Sequence, residues 1–356
     1  MKQLFITVNF ILCVLCLISC NKQKGKSDFV SISIDIDNSK KIDLRDSSIV
    51  RLLPLEITDS SLLGEIQSVE ILENKILVYS NSSVITFDQN GKFVFDINRK
   101  GQGPGEYSRI TSFFVNQKKI FLFDDISQKL LVYDDSGKFI SAINRGHKDE
   151  VSVIYPVNES NYIAKNRFQG ENNIIPSFSL LNKQLKKIKE IKNRVLKSGE
   201  VEFDHFYSFN NNILYWEFLN DTIYSFNEKN LIIPKYVVDF NNYSIPAYEK
   251  LGKDTKQIVE YLQTTNKTKI ATGIKYIHED SIFIRFVFVQ KEGIVNYVKY
   301  NKNSKTAKVF NISDSQHKLR PQLFMAFKDG KIIMSFQNLN QEENPILVFI
   351  NDENLL

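Results

Sequence analysis

A repeated strand–turn–strand pattern constrains the fold more than any other feature of this sequence. The segment FDQNGKF at 87–93 recurs 46 residues later as YDDSGKF at 133–139, and INR at 97–99 recurs at the same offset at 143–145. Apolar and polar residues alternate around both copies, and Asn-Gly or Ser-Gly supplies the positive φ that a tight hairpin turn needs. A unit of short strands that repeats every ~45 residues has the size of a propeller blade.

Four more degenerate strand units follow the two clear copies. Their clearest segments are 160–165 with 177–191, 206–226, 274–312, and 326–333 with 346–350. A chain of this length exceeds the usual size of a single core unless it is built from repeats. We therefore predict an all-β fold, a six-bladed β-propeller over residues 29–356, with an open sheet or a sandwich as the weaker alternative.

Two segments need separate placement. Residues 30–36 alternate strictly between apolar and polar, and 49–56 form another apolar strand, so both are predicted to complete the last blade and hide its edge. Residues 245–273 instead carry Tyr248, Leu251, Ile258 and Leu262 at helical spacing, with Asp254 near the start. They predict a short helical insertion between blades 4 and 5, which either caps the channel or packs against the rim.

The start of the chain has the pattern of a targeting signal. Lys2 precedes an apolar stretch that is too short to span a membrane, and the stretch ends in LISC at 17–20. This ending resembles a lipobox, which implies cleavage after residue 19 and lipidation of Cys20. Residues 20–28 then form a lipidated, flexible polar tether. An ordinary secretory signal or a buried N-terminal helix is the alternative.

Cysteine usage agrees with that interpretation. The chain has three cysteines, Cys13, Cys16 and Cys20, so cleavage leaves no thiol within the folded domain. Disulfides, zinc thiolate sites and a cysteine nucleophile are therefore excluded there. The fold must be held together by its apolar core.

A glycine-rich loop connects the two clear repeats to a known family. The segment GQGPGEY at 101–107 resembles the GxGPGEY signature of six-bladed β-propeller lipoproteins of Bacteroidetes, and the hairpins beside it are similar to NHL repeats. The resemblance implies a fold and a location in the cell envelope, and it implies no activity. In such lipoproteins an acidic run after the cysteine is associated with export to the outer face. Its absence here implies an outer-membrane anchor that faces the periplasm.

The same loop is not expected to bind phosphate. A phosphate-binding loop leads into a helix whose N-terminus holds the anion, whereas the residues after Tyr107 predict a strand. The net charge of +5 comes from lysines scattered among nearly as many acids, so nucleic-acid binding is not expected either.

Catalytic patterns are sparse. The four histidines lie far apart in the sequence and show no metal-binding spacing, and there is no GxSxG elbow. Asp124-Asp125 and Asp134-Asp135 stand where turns favour aspartate, without the spacing of a calcium loop. We predict no catalytic residues, no metal ligands and no cofactor. A calcium site in the channel is not excluded, because its ligands could come from strands that are distant in the sequence.

The preferred hypothesis is a non-enzymatic binding module, anchored to the membrane through Cys20, that uses the channel face of the propeller. Its ligand would be a carbohydrate, a peptide or an envelope protein, because the loops of a propeller bring side chains from every blade together. The alternatives are a metal-dependent hydrolase or lyase of the lactonase-like propeller type, and a structural subunit of an envelope complex. The candidate ligand contacts, each of which could instead be structural, are Glu106, Tyr107, Arg109, Arg167, His205 and Trp216.

Overall fold

A computed structural model describes most of the chain after residue 28. The described residues are 29–147, 150–167, 178–191, 205–210, 212–217, 219–226, 232–250, 253, 255–267, 269–314, 319–338 and 343–355. The predicted signal peptide (1–19), Cys20 and the tether (20–28) lie outside them, as do Leu251 and Asp254 of the predicted insertion. No helix in the described ranges is long and apolar enough to cross a membrane.

Three short strands come first in the chain and lie on the outside of the molecule. They are β1 (Val30–Ser33), β2 (Lys40–Asp43) and β3 (Val50–Pro54).

The next strands form three four-stranded antiparallel sheets in chain order. Blade 1 contains β4 (Ile66–Leu72), β5 (Lys75–Ser80), β6 (Ser83–Asp88) and β7 (Phe93–Ile97). Blade 2 contains β8 (Ile110–Asn116), β9 (Lys119–Asp124), β10 (Lys129–Tyr133) and β11 (Phe139–Asn144). Blade 3 contains β12 (Val151–Pro156), β13 (Asn161–Asn166), β14 (Phe178–Asn182) and β15 (Lys187–Ile191).

The remaining three sheets also use the early strands. Blade 4 contains β16 (His205–Phe209), β17 (Asn212–Trp216), β18 (Thr222–Phe226) and β19 (Ile232–Asp239), with β1 added outside β19. Blade 5 contains β20 (Ala271–Glu279), β21 (Phe283–Gln290), β22 (Val295–Asn301) and β23 (Thr306–Ser313), with β2 outside β23. Blade 6 contains β24 (Leu319–Lys328), β25 (Lys331–Asn338) and β26 (Ile346–Asn351), and β3 is its fourth strand.

The sheets close into a ring. Each blade's first strand is its inner strand; the inner strands contact one another in chain order, and β24 contacts β4. The predicted six-bladed β-propeller is therefore confirmed. We call the end at which the inner strands begin the upper face, and the opposite end the lower face.

The core lies between adjacent blades rather than in one central mass. Each of the six junctions within the described residues has its own cluster of buried apolar side chains; between blades 1 and 2 it includes Leu77, Leu122 and Tyr133. Strands fit this arrangement because alternate side chains point to opposite faces of a sheet, and both faces of a blade meet a neighbour. This explains why the middle strands are apolar almost throughout.

The repeated motif forms the turn between the two outer strands of a blade. In blade 1 the Asp88 carboxylate accepts hydrogen bonds from the backbone N–H groups of Asn90 and Lys92, and Asp134 does the same in blade 2. Gly91 has a φ of 80°, and a Cβ there would lie 2.2 Å from the carbonyl oxygen of Pro54. Glycine is therefore required both by the turn and by the close approach of β3.

The early strands correct one prediction. Strand β3 does complete blade 6 by pairing antiparallel with β26, but β1 pairs parallel with β19 and β2 pairs parallel with β23. The segment 30–36 thus belongs to blades 4 and 5, where Ile32, Ile34 and Ile36 are buried. An outer strand leaves its backbone groups unpaired at the edge, and β1, β2 and β3 cover three consecutive edges. We call these strands the N-terminal belt.

The helical insertion is present between blades 4 and 5. A 3-10 turn (Asn241–Tyr243) is followed by α1 (Ala247–Lys250) and α2 (Thr255–Thr264). Ile245, Leu262 and Ile270 form a small apolar cluster with Leu219, which lies in the β17–β18 loop. The insertion therefore packs against the upper end of blade 4.

Candidate functional site: the upper face

All six predicted contact residues lie at or near the upper face. Glu106, Tyr107 and Arg109 belong to the connection from β7 to β8, and Arg167 follows β13; His205 begins β16 and Trp216 ends β17. Strand direction explains this convergence, because inner strands begin and second strands end at the same edge of each blade. Their side chains nevertheless have very different environments.

Glu106 stabilises the glycine-rich loop through its side-chain carboxylate. Its Oε2 accepts a hydrogen bond from the N–H of Gly103 at 2.8 Å, and a Cβ on Gly101 would lie 2.1 Å from the same oxygen. The loop therefore folds around this carboxylate, and a side chain at position 101 would displace it. The connection leads from the outer strand of blade 1 to the inner strand of blade 2, without a helix at its end.

Tyr107 and Trp216 are core residues in this structure. Tyr107 is fully buried, and its hydroxyl donates to the carbonyl oxygen of Ser82 at 2.7 Å, joining the loop to blade 1. Burial raises the pKa of the Tyr107 hydroxyl. Trp216 is buried between blades 4 and 5. For His205 the structure describes the backbone alone, which pairs with Trp216.

Arg109 and Arg167 are brought together by a residue that the sequence analysis assigned only to a turn. Asp125 is almost fully buried and accepts from Arg109 Nε at 2.7 Å and from Arg167 Nη2 at 2.6 Å. Arg167 also donates to Glu150 at 2.7 Å, and His147 lies 2.8 Å from that carboxylate. We call Arg109, Asp125, Glu150 and Arg167 the arginine cluster.

The neighbouring aspartate has the predicted turn role. Asp124 accepts from the backbone N–H groups of Ser108 at 2.8 Å and Ile126 at 3.0 Å. Burial acts to raise the pKa of Asp124, but hydrogen bonds from Ser108, Ser127 and the Arg109 backbone outweigh burial and lower it. Because Asp124 accepts the hydrogen bonds from the backbone N–H groups of the turn, the Asp125 carboxylate can pair with the two arginines. No spacing in the sequence links Arg109 to Arg167, since blades 2 and 3 meet only in the folded chain.

The arginine cluster presents two guanidinium groups at fixed positions. The Arg109 side chain is 58% exposed and that of Arg167 is 30% exposed, whereas the Asp125 side chain beneath them is 2% exposed. Guanidinium groups bind carboxylates, phosphates and aromatic faces with defined geometry. The cluster is therefore a rigid polar contact surface at the upper end of blades 2 and 3.

An open cavity of about 570 Å³ lies farther round the upper face, between blade 4 and the helical insertion. Its volume is within the usual range for small-ligand sites. Asp221, Asn242, Ser244, Lys250 and Lys267 give it a polar lining, with Ile245 and Pro246 as apolar members. Sequence reasoning missed this site because its residues come from one blade loop and from the insertion.

Asp221 is the most unusual residue of the cavity. Its Oδ2 accepts from Lys250 Nζ at 2.7 Å, while its buried Oδ1 has no hydrogen-bond partner among the described residues. Burial raises the pKa of Asp221, and Lys250 opposes that rise. Buried carboxylate oxygens are normally satisfied, so Asp221 is an exception among the described residues.

The inner strands carry titratable groups along the channel. Burial raises the pKa of Glu70 to about 7, against the opposing charge of Lys328, and burial lowers the pKa of Lys275 to about 8. Burial also lowers the pKa of His278 to about 4, and its ring packs between Tyr207 and Phe327, at centroid distances of 5.0 and 4.2 Å. In the part of the chain that the structure describes, no three His, Cys, Asp or Glu side chains converge on a metal site.

The fold and this loop-rich face define a six-bladed β-propeller with a polar contact surface on one face. Within that class, the chain belongs to the family described as Domain of unknown function (DUF4934), which matches residues 28–351. No curated protein matches the chain.

Two solved structures from Bacteroides species share the architecture. A Bacteroides fragilis protein described as exported aligns with a TM-score of 0.62 and 19% identity, over 90% of this chain and 99% of its own. A Bacteroides vulgatus member of the DUF4221 family aligns with a TM-score of 0.58 and 10% identity, over 86% of this chain and 98% of its own. At such low identities the likeness shows the fold alone.

Proposed function

We propose that this protein is a lipid-anchored, non-enzymatic binding module of the cell envelope, whose upper face binds a glycan, a peptide or another envelope protein. The observation that carries the proposal is the Asp221 cavity, which has a ligand-sized volume and a buried carboxylate oxygen without a partner in the described chain. The arginine cluster supplies a second contact surface on the same face. The polar lining favours a ligand rich in hydroxyl, amide or charged groups.

The envelope location rests on the lipobox-like end of the signal sequence and on lipidation of Cys20. The exported description of the Bacteroides fragilis relative supports it. Two or more acyl chains would give stable anchoring, whereas one chain would not. Metabolic labelling with an alkyne fatty acid should mark the wild-type protein and not Cys20→Ser. Equal labelling of the two would refute the anchor.

Ligand binding is tested by thermal unfolding of the domain that begins at residue 27, in the presence of cell-wall peptides, glycans, calcium or a chelator. A ligand at a hundred times its Kd should stabilise the fold by about 2.7 kcal/mol. The shift should shrink in Lys267→Gln, which alters the cavity, and persist in Lys183→Gln, an exposed lysine of the β14–β15 turn. An equal thermal shift in both variants would show that the ligand binds outside the cavity. Stabilisation by calcium alone, lost with chelator, would favour the metal-dependent enzyme instead.

A further inference from the structure

We propose that the anchored propeller holds its lower face and the rim of blade 4 toward the membrane, so that the upper face points away from it. This inference rests on the proposed lipidation of Cys20 and adds the orientation of the domain. Its structural basis is the N-terminal belt, because the belt determines where the tether leaves the folded domain.

The first step is the direction of β1. Strand β19 runs from the lower to the upper face, since it ends at Asp239, beside the insertion on the upper face. Strand β1 is parallel to it, with Val30 opposite Tyr236 and Ser33 opposite Asp239. Tyr236 in turn donates to Glu279, at the lower end of blade 5's inner strand. Traced backward from Val30, the chain therefore heads toward the lower face.

The second step is the reach of the tether. Residues 20–28 can span roughly 30 Å when fully extended. To place the upper face on the membrane, the tether would have to turn back and run alongside β1. This would use about 13 Å of the tether's length, because β1 has four residues. It would then have to pass the helical insertion as well. The lower face needs no such reversal.

The third step is the charge at the lower end of blade 3, which lies next to blade 4 in the ring. Its outer strand β15 exposes Ile188, Lys189 and Glu190. The preceding turn adds exposed Lys183 and Lys186. Lysines close to a membrane are attracted to anionic headgroups. Lys183 and Lys186, at the lower end of a blade next to blade 4, therefore favour the same orientation as the tether.

The test uses full-length, lipidated protein in vesicles that contain spin-labelled quencher lipids and anionic phospholipid. A fluorophore is placed on single cysteines at Gln184→Cys, on the lower face of blade 3, or at Asn242→Cys, on the upper face beside blade 4. We expect a larger fractional loss of fluorescence at 184 than at 242. Gln89→Cys, on the lower face of the opposite blade 1, should show an intermediate loss if the domain is tilted about the blade 4 rim.

Two results would overturn the inference, and they are distinguishable. Equal quenching at 184 and 242, or stronger quenching at 242, with protein that floats with the vesicles, would refute the orientation and leave the anchor standing. Protein that does not float would refute the anchor, and the orientation with it. A control with Cys20→Ser should remove quenching at every position.

Discussion

Buried charges are the residue-scale features that set this propeller apart from a purely apolar repeat. Asp125 holds two arginines from neighbouring blades, and Glu279 accepts hydrogen bonds from Lys235, Lys302 and Tyr236 between blades 4 and 5. A buried ion pair is costly to form, yet removal of one partner leaves the other charge uncompensated. These groups consequently link adjacent blades at positions where apolar contacts end.

Asp125→Asn should destabilise the protein and weaken the link between blades 2 and 3 at the upper face. The amide cannot neutralise two guanidinium groups, and the expected loss is about 1–3 kcal/mol, less than for a fully buried pair because Arg109 is largely exposed. Asp135→Asn, whose carboxylate pairs with Lys75 at the surface, should cost about 0.5 kcal/mol or less. Urea unfolding of both variants measures the difference; equal losses would contradict the role of Asp125.

Glu70 should make stability depend on pH. Because burial raises the pKa of Glu70 in the folded state to about 7 from its ordinary value of 4.5, the folded state binds more protons than the unfolded state between these values. Its contribution is present below about pH 4.5 and is lost as pH rises through 7. Glu70→Gln should remove this decline, by about 1–3 kcal/mol between pH 5 and pH 8.

The matched control for Glu70 is Glu73→Gln, at an exposed turn on the same blade. Urea unfolding at the two pH values should show the same decline in Glu73→Gln as in the wild type. An unchanged decline in Glu70→Gln would show that its carboxyl is not the group responsible.

At the scale of elements, the N-terminal belt is a device for covering sheet edges. Its strands are only four or five residues long, and Ile32 is the one buried residue of β1. Such short strands gain little stability from hydrogen bonds alone. Their attachment depends on a few apolar side chains that enter the clusters between blades. Ile32 of β1 packs between blades 4 and 5, Ile42 of β2 between blades 5 and 6, and Leu53 of β3 between blades 6 and 1.

Ile32→Ala should therefore detach β1 from blade 4. Ile32 is fully buried, and truncation of such a side chain costs about 2–4 kcal/mol. Val30→Ala, on the same strand but 41% exposed, should cost about 1 kcal/mol or less. Chemical unfolding compares the two, and hydrogen exchange at β19 reports the uncovered edge. A similar loss for both variants would contradict attachment through the buried Ile32 side chain.

At the scale of the whole molecule, closure joins distant parts of the chain. Strand β3 comes from the beginning of the domain and completes the blade that contains its last strands. The ring is therefore sealed by residues almost 300 positions apart, Leu52 and Val348 among them. Contacts of such long range slow folding, because the entropy of loop closure is lost before they form.

A chain that begins at residue 57 should not form a closed ring. It lacks the whole belt, so blade 6 has three strands, and blades 4 and 5 have bare edges. A chain that begins at residue 45 keeps β3 and should fold with lower stability. Size-exclusion chromatography and circular dichroism distinguish these outcomes; a monomeric, cooperative chain from residue 57 would contradict closure by β3.

The sequence by itself determined the repeat, its strand character and the number of blades. Alternation and Asn-Gly or Ser-Gly turns are local consequences of side-chain chemistry, so they can be seen without a fold. The helical insertion was predicted for the same reason. Its local periodicity differs from that of the strands around it.

Tertiary structure alone decided which residues meet. The parallel attachment of β1 and β2 to blades 4 and 5 depends on which sheet edges lie within reach of the chain, and this is set by closure of the ring. Asp125 and the Asp221 cavity were missed for a related reason, because their partners lie on other loops at no regular spacing. Tyr107 and Trp216 are buried by neighbouring blades, and burial between repeats is a property of the assembled ring rather than of any segment.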